Sequence, residues 1–247
     1  MDSSLIEKWK QEEKQPFTGW DFAHLNGRWT QGKPTWSYDD LARDLLRTAG
    51  SVLDLGTGGG ERFARLRDVF PPRVAATEGY RPNVAVAKKR LEPLGVEVVF
   101  AETKLPFPDS SFEVLLDRHT AFDAAEVARV LKPRGVFLTQ QVDGSLADLA
   151  SEFGGTPPFP DVTLANLVEQ LVAAGLEIER REDWRGETSF ADVGALVYYL
   201  RAVPWTVPDF SVDRFQTQLG NLQARLARER RLAFGQGAFL IRARKMA

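Results

Sequence analysis

The chain has 247 residues, 43% of them hydrophobic and 27% charged, with 32 basic side chains against 34 acidic ones. That composition is globular and long enough for a large core, and its near balance of charge excludes a general nucleic-acid binder, whose surface would be strongly basic. With no cysteine and two histidines, disulfides, a thiol nucleophile and thiolate or multi-histidine metal sites are excluded, so no metal is expected.

The opening stretch "MDSSLIEKWKQEEK" is charged and lacks the apolar core of a signal peptide, and no apolar run approaches a membrane span. A soluble, cytoplasmic protein is the expectation. Residues 1–36 are polar yet carry Trp9, Trp20, Trp29 and Trp36. Disordered tails are poor in aromatics, so this arm is expected to pack onto the rest of the chain. "SYDDLARDLLRTAG" (37–50) has the pattern of an amphipathic helix with Ser37 as N-cap and Gly50 as terminator.

An alternation follows. Short β-branched runs at 51–55, 73–77, 96–100, 112–116 and 135–142 are separated by helical patterns at about 60–69, 82–92 and 122–132. Strands alternating with helices imply βαβ units and a parallel sheet covered on both faces. Pro133 and Gly135 end the third of these helices and turn the chain into a strand. Residues 144–160 read as a loop, and 161–183 as a helix closed by Gly175 and then a strand. The aromatic segment 190–211 is broken by Pro204 and Pro208, a charged helix covers roughly 211–233, and "GAFLIRARKM" makes a final strand.

The chemistry begins at "VLDLGTGGGE" (52–61), where the first strand of the alternation hands over to a helix. In doubly wound folds ligands bind at the carboxyl ends of the strands, and glycine there permits positive φ and removes a Cβ that would block a ligand. Glu78 ends the next strand, twenty residues beyond Gly58, a spacing at which an acid accepts hydrogen bonds from ribose hydroxyls. Strand, glycine loop, helix, strand and acid together describe an adenosine site. A dinucleotide fingerprint would need glycine at position 61, which is glutamate, and no P-loop lysine is present. Asp54 and Glu61 disfavour a phosphate and suit a ligand bearing an ammonium group, which points to S-adenosylmethionine.

"VLDLGTGGGE", "TEGY", "LPFPDSSFEVLL" and "RVLKPRGVFL" resemble, in order and spacing, the successive motifs of class I S-adenosylmethionine-dependent methyltransferases, over about residues 37–143 and more loosely in the last strand. The stretches "WDFAHLNGRW", "ATEGYRPNVAVAKKRLEPLGVEVV" and "DVGALVYYLRAVPWTVPDFS" are similar to a type 11-like bacterial subgroup of unidentified substrate. The resemblance implies an α/β, three-layer Rossmann-like fold with a seven-stranded, mainly parallel sheet whose last strand is antiparallel. It implies an N-terminal arm or lid over 1–36 and a cofactor-binding domain over 37–247, with a helical insertion at about 184–233. It further implies that Asp54, Gly56, Thr57 and Gly58 contact the methionine part of the cofactor, Glu78 the ribose, and Gly79 and Tyr80 the adenine. The family's acidic position after the third strand reads Phe100–Ala101–Glu102 here, so either Glu102 or a backbone group meets the adenine edge. In "DRHTAF" (117–122), Arg118 either holds the cofactor carboxylate or is a surface residue beside Asp117.

Methyl transfer is an in-line displacement at an activated sulfonium, so the protein's main task is alignment. Should the nucleophile need to lose a proton, His119 is the candidate base, with a backbone-bound strand-end histidine as the alternative. Trp20 and Trp36, with Tyr198 and Trp205, are candidates for substrate contact, or they pack the arm and insertion. The acceptor read first is a small molecule. An RNA or protein acceptor, and a cofactor-binding protein without methyl transfer, are the alternatives. The arginines of "RFQTQLGNLQARLARERR" fit either an RNA-facing or a solvated helix.

Overall fold

The structure is a computed structural model, and it describes residues 3–17, 22–143, 146–156 and 159–247. In chain order it contains α1 (Ser3–Glu13), β1 (Trp29–Gln31), α2 (Tyr38–Leu46), β2 (Ser51–Leu55), β3 (Arg73–Glu78), α3 (Arg81–Leu91), β4 (Glu97–Phe100), β5 (Phe112–Arg118) and α4 (Ala124–Val130). These are followed by β6 (Leu131–Val142), α5 (Ala147–Glu152), α6 (Leu164–Ala173), β7 (Leu176–Phe190), α7 (Val193–Ala202), α8 (Gln216–Glu229) and β8 (Leu232–Lys245). The strands lie in the order β1-β7-β8-β6-β5-β2-β3-β4. Pairs β5–β6, β2–β5, β2–β3 and β3–β4 are parallel, whereas β8 runs antiparallel to β6.

This is the Rossmann-like methyltransferase fold that the resemblance implied, with eight strands where seven were expected. The additional strand is β1, three residues of the arm that pair antiparallel with Thr188–Phe190. Three residues reading Trp-Thr-Gln carry too little alternation to announce a strand.

The chain divides into two compact units. The larger comprises Thr35–Val142, Asp161–Trp184 and Ala238–Ala247. Its central strands bury both faces, which is why β2 reads as a nearly continuous apolar run. Val52, Val74, Val114, Leu116 and Leu138 point to one face, where they pack with Tyr38, Ala42 and Leu46 on α2. Leu53, Ala75, Leu115 and Phe137 point to the other, against Val127 and Val130 on α4 and Leu167 and Leu171 on α6. Capping fixes where the covering helices begin: Ser37 accepts from the Asp40 amide at 3.2 Å, Asp123 from Ala125 at 2.8 Å and Thr163 from Asn166 at 3.2 Å.

Several element boundaries differ from the sequence reading. The helix expected at about 60–69 is a 3-10 turn over Phe63–Val69. Gly60, at φ +80°, lies against Leu91, and a Cβ there would come within 2.7 Å of Leu91 Cγ. The chain therefore leaves the glycine run in a left-handed turn, not an α-helical one. The helix expected over 122–132 stops at Val130, because β6 pairs from Leu131 onward. A register shift between the Phe112–Leu131 and Val114–Val136 pairs absorbs Pro133 and Arg134, the latter at φ +64°. Within the segment read as a loop, Ala147–Glu152 forms the short helix α5.

The smaller unit comprises Met1–Pro34, Asp143–Pro160 and Arg185–Gly237. Its core joins Trp9 of α1 with Phe190, Tyr198, Phe210, Leu219 and Phe234. The arm is tied down by charge as well as by area: Arg28 bridges Glu12 and Asp192, each at 2.7 Å. Among the described residues no helix is long and apolar enough to cross a membrane.

Phe137 is fully buried and meets the edge of Phe122 at 4.9 Å between ring centroids. Phe137→Ala should therefore lower unfolding free energy by about 3–5 kcal/mol in chemical denaturation.

Candidate functional site

The glycine loop connects the end of β2 to the 3-10 turn and is pinned from three sides. Thr57 N–H donates to the Thr77 carbonyl at 2.8 Å, Gly60 N–H to the Thr57 carbonyl at 3.0 Å, and Gly58 N–H to Glu78 Oε2 at 2.6 Å. Gly56 and Gly58 adopt φ +58° and +63°. A Cβ on Gly56 would lie 2.0 Å from Thr120 Oγ1, so this position admits nothing larger. A Cβ on Gly58 would meet no protein atom within 4 Å, so the space above that backbone belongs to whatever binds there.

Glu78 is 6% exposed at the end of β3. Its other oxygen, Oε1, accepts from Tyr80 N–H at 2.7 Å. One carboxylate thus ties the glycine loop to the β3–α3 turn. Each of its oxygens retains a lone pair toward solvent or ligand. Glu61, expected to face a ligand ammonium, is instead paired with Arg90, which also bonds the Gly59 carbonyl. The loop's second acid is thus a clamp between the loop and α3.

Beside the loop opens a cavity of about 340 Å³ lined by Gly56, Glu78, Gly79, Ala101, Glu102 and Phe122, among others. Its volume falls at the lower end of the usual range for small-molecule sites. Gly79 and Glu102, both expected at the adenine, are among its lining residues. Tyr80 does not line this cavity: its side chain is 64% exposed, and its contribution here is the amide given to Glu78.

A charged region lies on the sheet face toward α2. Asp54 is half-buried, and burial pushes its carboxyl up to about 7 against the opposing effects of Thr57 and Arg62. Tyr38 is buried, with its hydroxyl unpartnered. Arg62 donates to Asp39 at 2.8 Å. Arg118, in register with Gln140 across β5 and β6, is half-buried, its Nε has no partner, and its side chain enters no ion pair among the described residues. Burial and the Arg62 guanidinium lower its pKa to about 10. Arg118 is therefore not a surface residue paired with its neighbour. Asp117 is fully buried and accepts from Thr139 Oγ1 at 3.1 Å and Gln141 Nε2 at 2.7 Å, and burial raises its pKa well above the carboxylate range.

His119 occupies φ +63°, an arrangement that costs a non-glycine residue on the order of 1–3 kcal/mol and is found where function over-determines the backbone. Desolvation lowers its pKa, and Arg118 and Arg62 add to the shift, although the residue keeps an exposed surface. A general base works best with a pKa near the operating pH. A downward shift weakens His119 in the expected role of base. Its Nε2 lies 3.2 Å from Gln140 Nε2, and Gln140 Oε1 accepts from Trp36 Nε1 at 2.9 Å.

Trp36 is thus buried beside His119. Two of the other aromatic candidates, Tyr198 and Trp205, belong to the smaller unit. Tyr198 is 3% exposed in the core of the smaller unit, with its hydroxyl 3.4 Å from the Pro16 carbonyl, so it packs where substrate contact was expected. Trp205 is 44% exposed on the smaller unit, and Trp20 lies outside the described residues. Sequence reasoning passed over Tyr38, Thr120, Phe122 and Gln140. The polar "TQQ" inside the apolar run "GVFLTQQV" was the available signal for Gln140. Among the described residues no cluster could hold a metal ion.

Residues 53–139 match the methyltransferase domain family. The chain is similar in fold to a Bacillus halodurans protein described as a methyltransferase, with a TM-score of 0.61 and 19% identity over 85% of this chain and 97% of that one. It is also similar to YcgJ of Bacillus subtilis, with a TM-score of 0.58 and 19% identity over 85% and 98%. Geranyl diphosphate methyltransferase in complex with S-adenosylmethionine gives a TM-score of 0.53 and 13% identity over 84% of each chain. No curated protein matches the sequence.

Gly56→Ala should weaken S-adenosylhomocysteine binding by about tenfold or more in calorimetry, since the left-handed backbone alone costs roughly 1–2 kcal/mol and the clash with Thr120 adds to it. Gly95→Ala is the control. Gly95 has φ +82° and open space around it, so the same backbone penalty should leave affinity unchanged.

Proposed function

We propose, for a chain that is a class I S-adenosylmethionine-dependent methyltransferase through its domain at residues 53–139, that the methyl group passes to a small-molecule acceptor. The observation that supports the site assignment best is Glu78, whose two oxygens are held by Gly58 and Tyr80 beside a nucleoside-sized cavity. The cofactor supplies an electrophilic methyl on a sulfonium. The residues present fit it. Glu78 is placed to accept from the ribose hydroxyls, Gly79, Ala101 and Phe122 to enclose the adenine, and Glu102 or the adjoining backbone to meet its edge. The open backbone at Gly58 accommodates the methionine chain. The unpartnered Arg118 guanidinium suits its carboxylate and Asp54 its ammonium group.

A small acceptor is favoured over RNA by the state of the arginine-rich segment. Three of its five arginines are engaged, Arg214 with Asp209, Arg225 with Glu152 and Glu229, and Arg231 with Glu187, whereas Arg228 and Arg230 enter no ion pair among the described residues. Cations already engaged by carboxylates contribute little to a phosphate-binding face. Incubation with labelled S-adenosylmethionine and a cell lysate tests the acceptor class, and label is expected in the small-molecule fraction. Label in RNA or protein would transfer the assignment to that class.

Calorimetry with S-adenosylhomocysteine tests the ribose contact. Glu78→Ala should cost on the order of a hundredfold in affinity, at roughly 1.5–3 kcal/mol per hydrogen bond to a charged group, and unchanged affinity would contradict the assignment. Affinity should also depend on pH through Asp54. Its pKa of about 7 means that the ligand-free fold loses stability as pH rises from 3.8 toward 7, because the buried carboxyl resists ionisation. The ligand's ammonium rewards the ionised form, so affinity should rise as pH increases through about 7. Asp54→Asn should flatten that dependence.

A further inference from the structure

The hydrogen bonds around His119 fix where its proton sits. Trp36 Nε1 is a donor only, so the Gln140 atom that receives it at 2.9 Å must be the amide oxygen. That orients the Gln140 NH₂ group toward His119, 3.2 Å from Nε2. An amide nitrogen is likewise a donor only, so His119 Nε2 must offer its lone pair, and in the neutral ring the proton is on Nδ1. The polarity runs one way, from Trp36 through Gln140 to His119. Backbone pairing keeps the partners in place, since His119 N–H donates to the Gln140 carbonyl at 2.9 Å. Trp36 and Gln140 are 9% and 7% exposed, whereas His119 is open to solvent and Nδ1 has no hydrogen-bond partner among the described residues.

We infer that His119 presents Nδ1–H as a fixed hydrogen-bond donor to an oxygen of the methyl acceptor, with Gln140 and Trp36 as positioning residues that hold its tautomer. This rests on the proposed function for the location of the acceptor: His119 immediately precedes Thr120, which packs on Gly56 of the glycine loop. The inference names the acceptor's chemistry more narrowly. It carries a carboxylate, phenolate or carbonyl oxygen close to the atom that is methylated, and that oxygen meets His119 beside cationic Arg118. The charges around the ring agree. Arg118 on β5 and Arg62 on the turn after the glycine loop both oppose a second proton on His119, Asp39 is committed to Arg62, and Trp36 and Gln140 are uncharged. A neutral donor tolerates these guanidinium neighbours.

With His24 the only other histidine, nitrogen-15 spectra of histidine-labelled protein test this without ambiguity, and His119→Gln assigns the signals. In the wild type, His119 should show a protonated Nδ1 and an unprotonated Nε2 from about pH 5 to 8. Gln140→Glu replaces the donor by a carboxylate, which should draw a proton onto Nε2 and move the titration up toward the ordinary value of about 6.5. Gln140→Leu, which puts an apolar side chain of similar size in the strand, should abolish the preference for one tautomer. With S-adenosylhomocysteine bound, sodium benzoate should shift the Nδ1–H resonance and sodium chloride should not. A proton on Nε2 in the wild type, a wild-type titration between about pH 5 and 8, or an Nδ1–H signal indifferent to benzoate would each overturn the inference. The tautomer is read on the ligand-free protein as well. A failure to bind S-adenosylhomocysteine would therefore strike the proposed cofactor site, while the imidazole spectrum alone decides the relay.

Discussion

Glu78 is buried at the end of β3 with an amide hydrogen on each oxygen, from Gly58 at 2.6 Å and from Tyr80 at 2.7 Å. A buried carboxylate is tolerated only where donors replace the water it has lost, and here two backbone amides do so. The exchange also serves the loop. Three glycines in sequence have little intrinsic preference for one backbone path, and the bonds from Thr57 to Thr77 and from Gly58 to Glu78 select it. On the far side, Arg90 and Leu91 of α3 complete the support through Glu61, the Gly59 carbonyl and close packing on Gly60. Without Glu78 the loop would lose its anchor, and the proposed ribose contact would go with it.

From that anchor the site extends into two regions of different character. The cavity by Gly79, Ala101 and Phe122 is largely apolar and is backed by the core through the Phe122–Phe137 contact. The region of Asp54, Arg62 and Arg118 on the side of α2 is polar, and several groups there are buried without partners, among them the Tyr38 hydroxyl and Arg118 Nε. Buried polar groups in native folds are nearly always satisfied, so the orphaned guanidinium nitrogen of Arg118 is consistent with the proposed anionic ligand group. A ligand with an adenosine at one end and a zwitterionic amino acid at the other matches both regions. His119 then falls at the edge of the charged region, held neutral, where the acceptor is proposed to approach.

Much of this was legible in the sequence for reasons that can be named. Central parallel strands are apolar throughout, so SVLDL and RVAAT announced β2 and β3, and the interval from Gly58 to Glu78 spans the loop, the 3-10 turn and β3. What escaped depended on contacts between distant segments. Glu61 looked like a ligand residue until Arg90, 29 positions away, was found across from it. His119 looked like a base because a histidine's ordinary pKa suits one, whereas its actual environment is set by Arg62, Arg118 and a glutamine from the neighbouring strand. Tyr198 was open to either substrate contact or packing, and it lies in the aromatic core of the smaller unit. The short strand β1 exists because Thr188–Phe190 offers it an edge, a fact no local pattern carries.

The most direct measurement is a crystal structure of the complex with S-adenosylhomocysteine. The ribose hydroxyls are predicted on Glu78, the adenine in the cavity beside Ala101 and Phe122, and the amino-acid end over the glycine loop between Asp54 and Arg118. A ribose bound away from Glu78, or a nucleoside lodged outside that cavity, would contradict the assignment of the site.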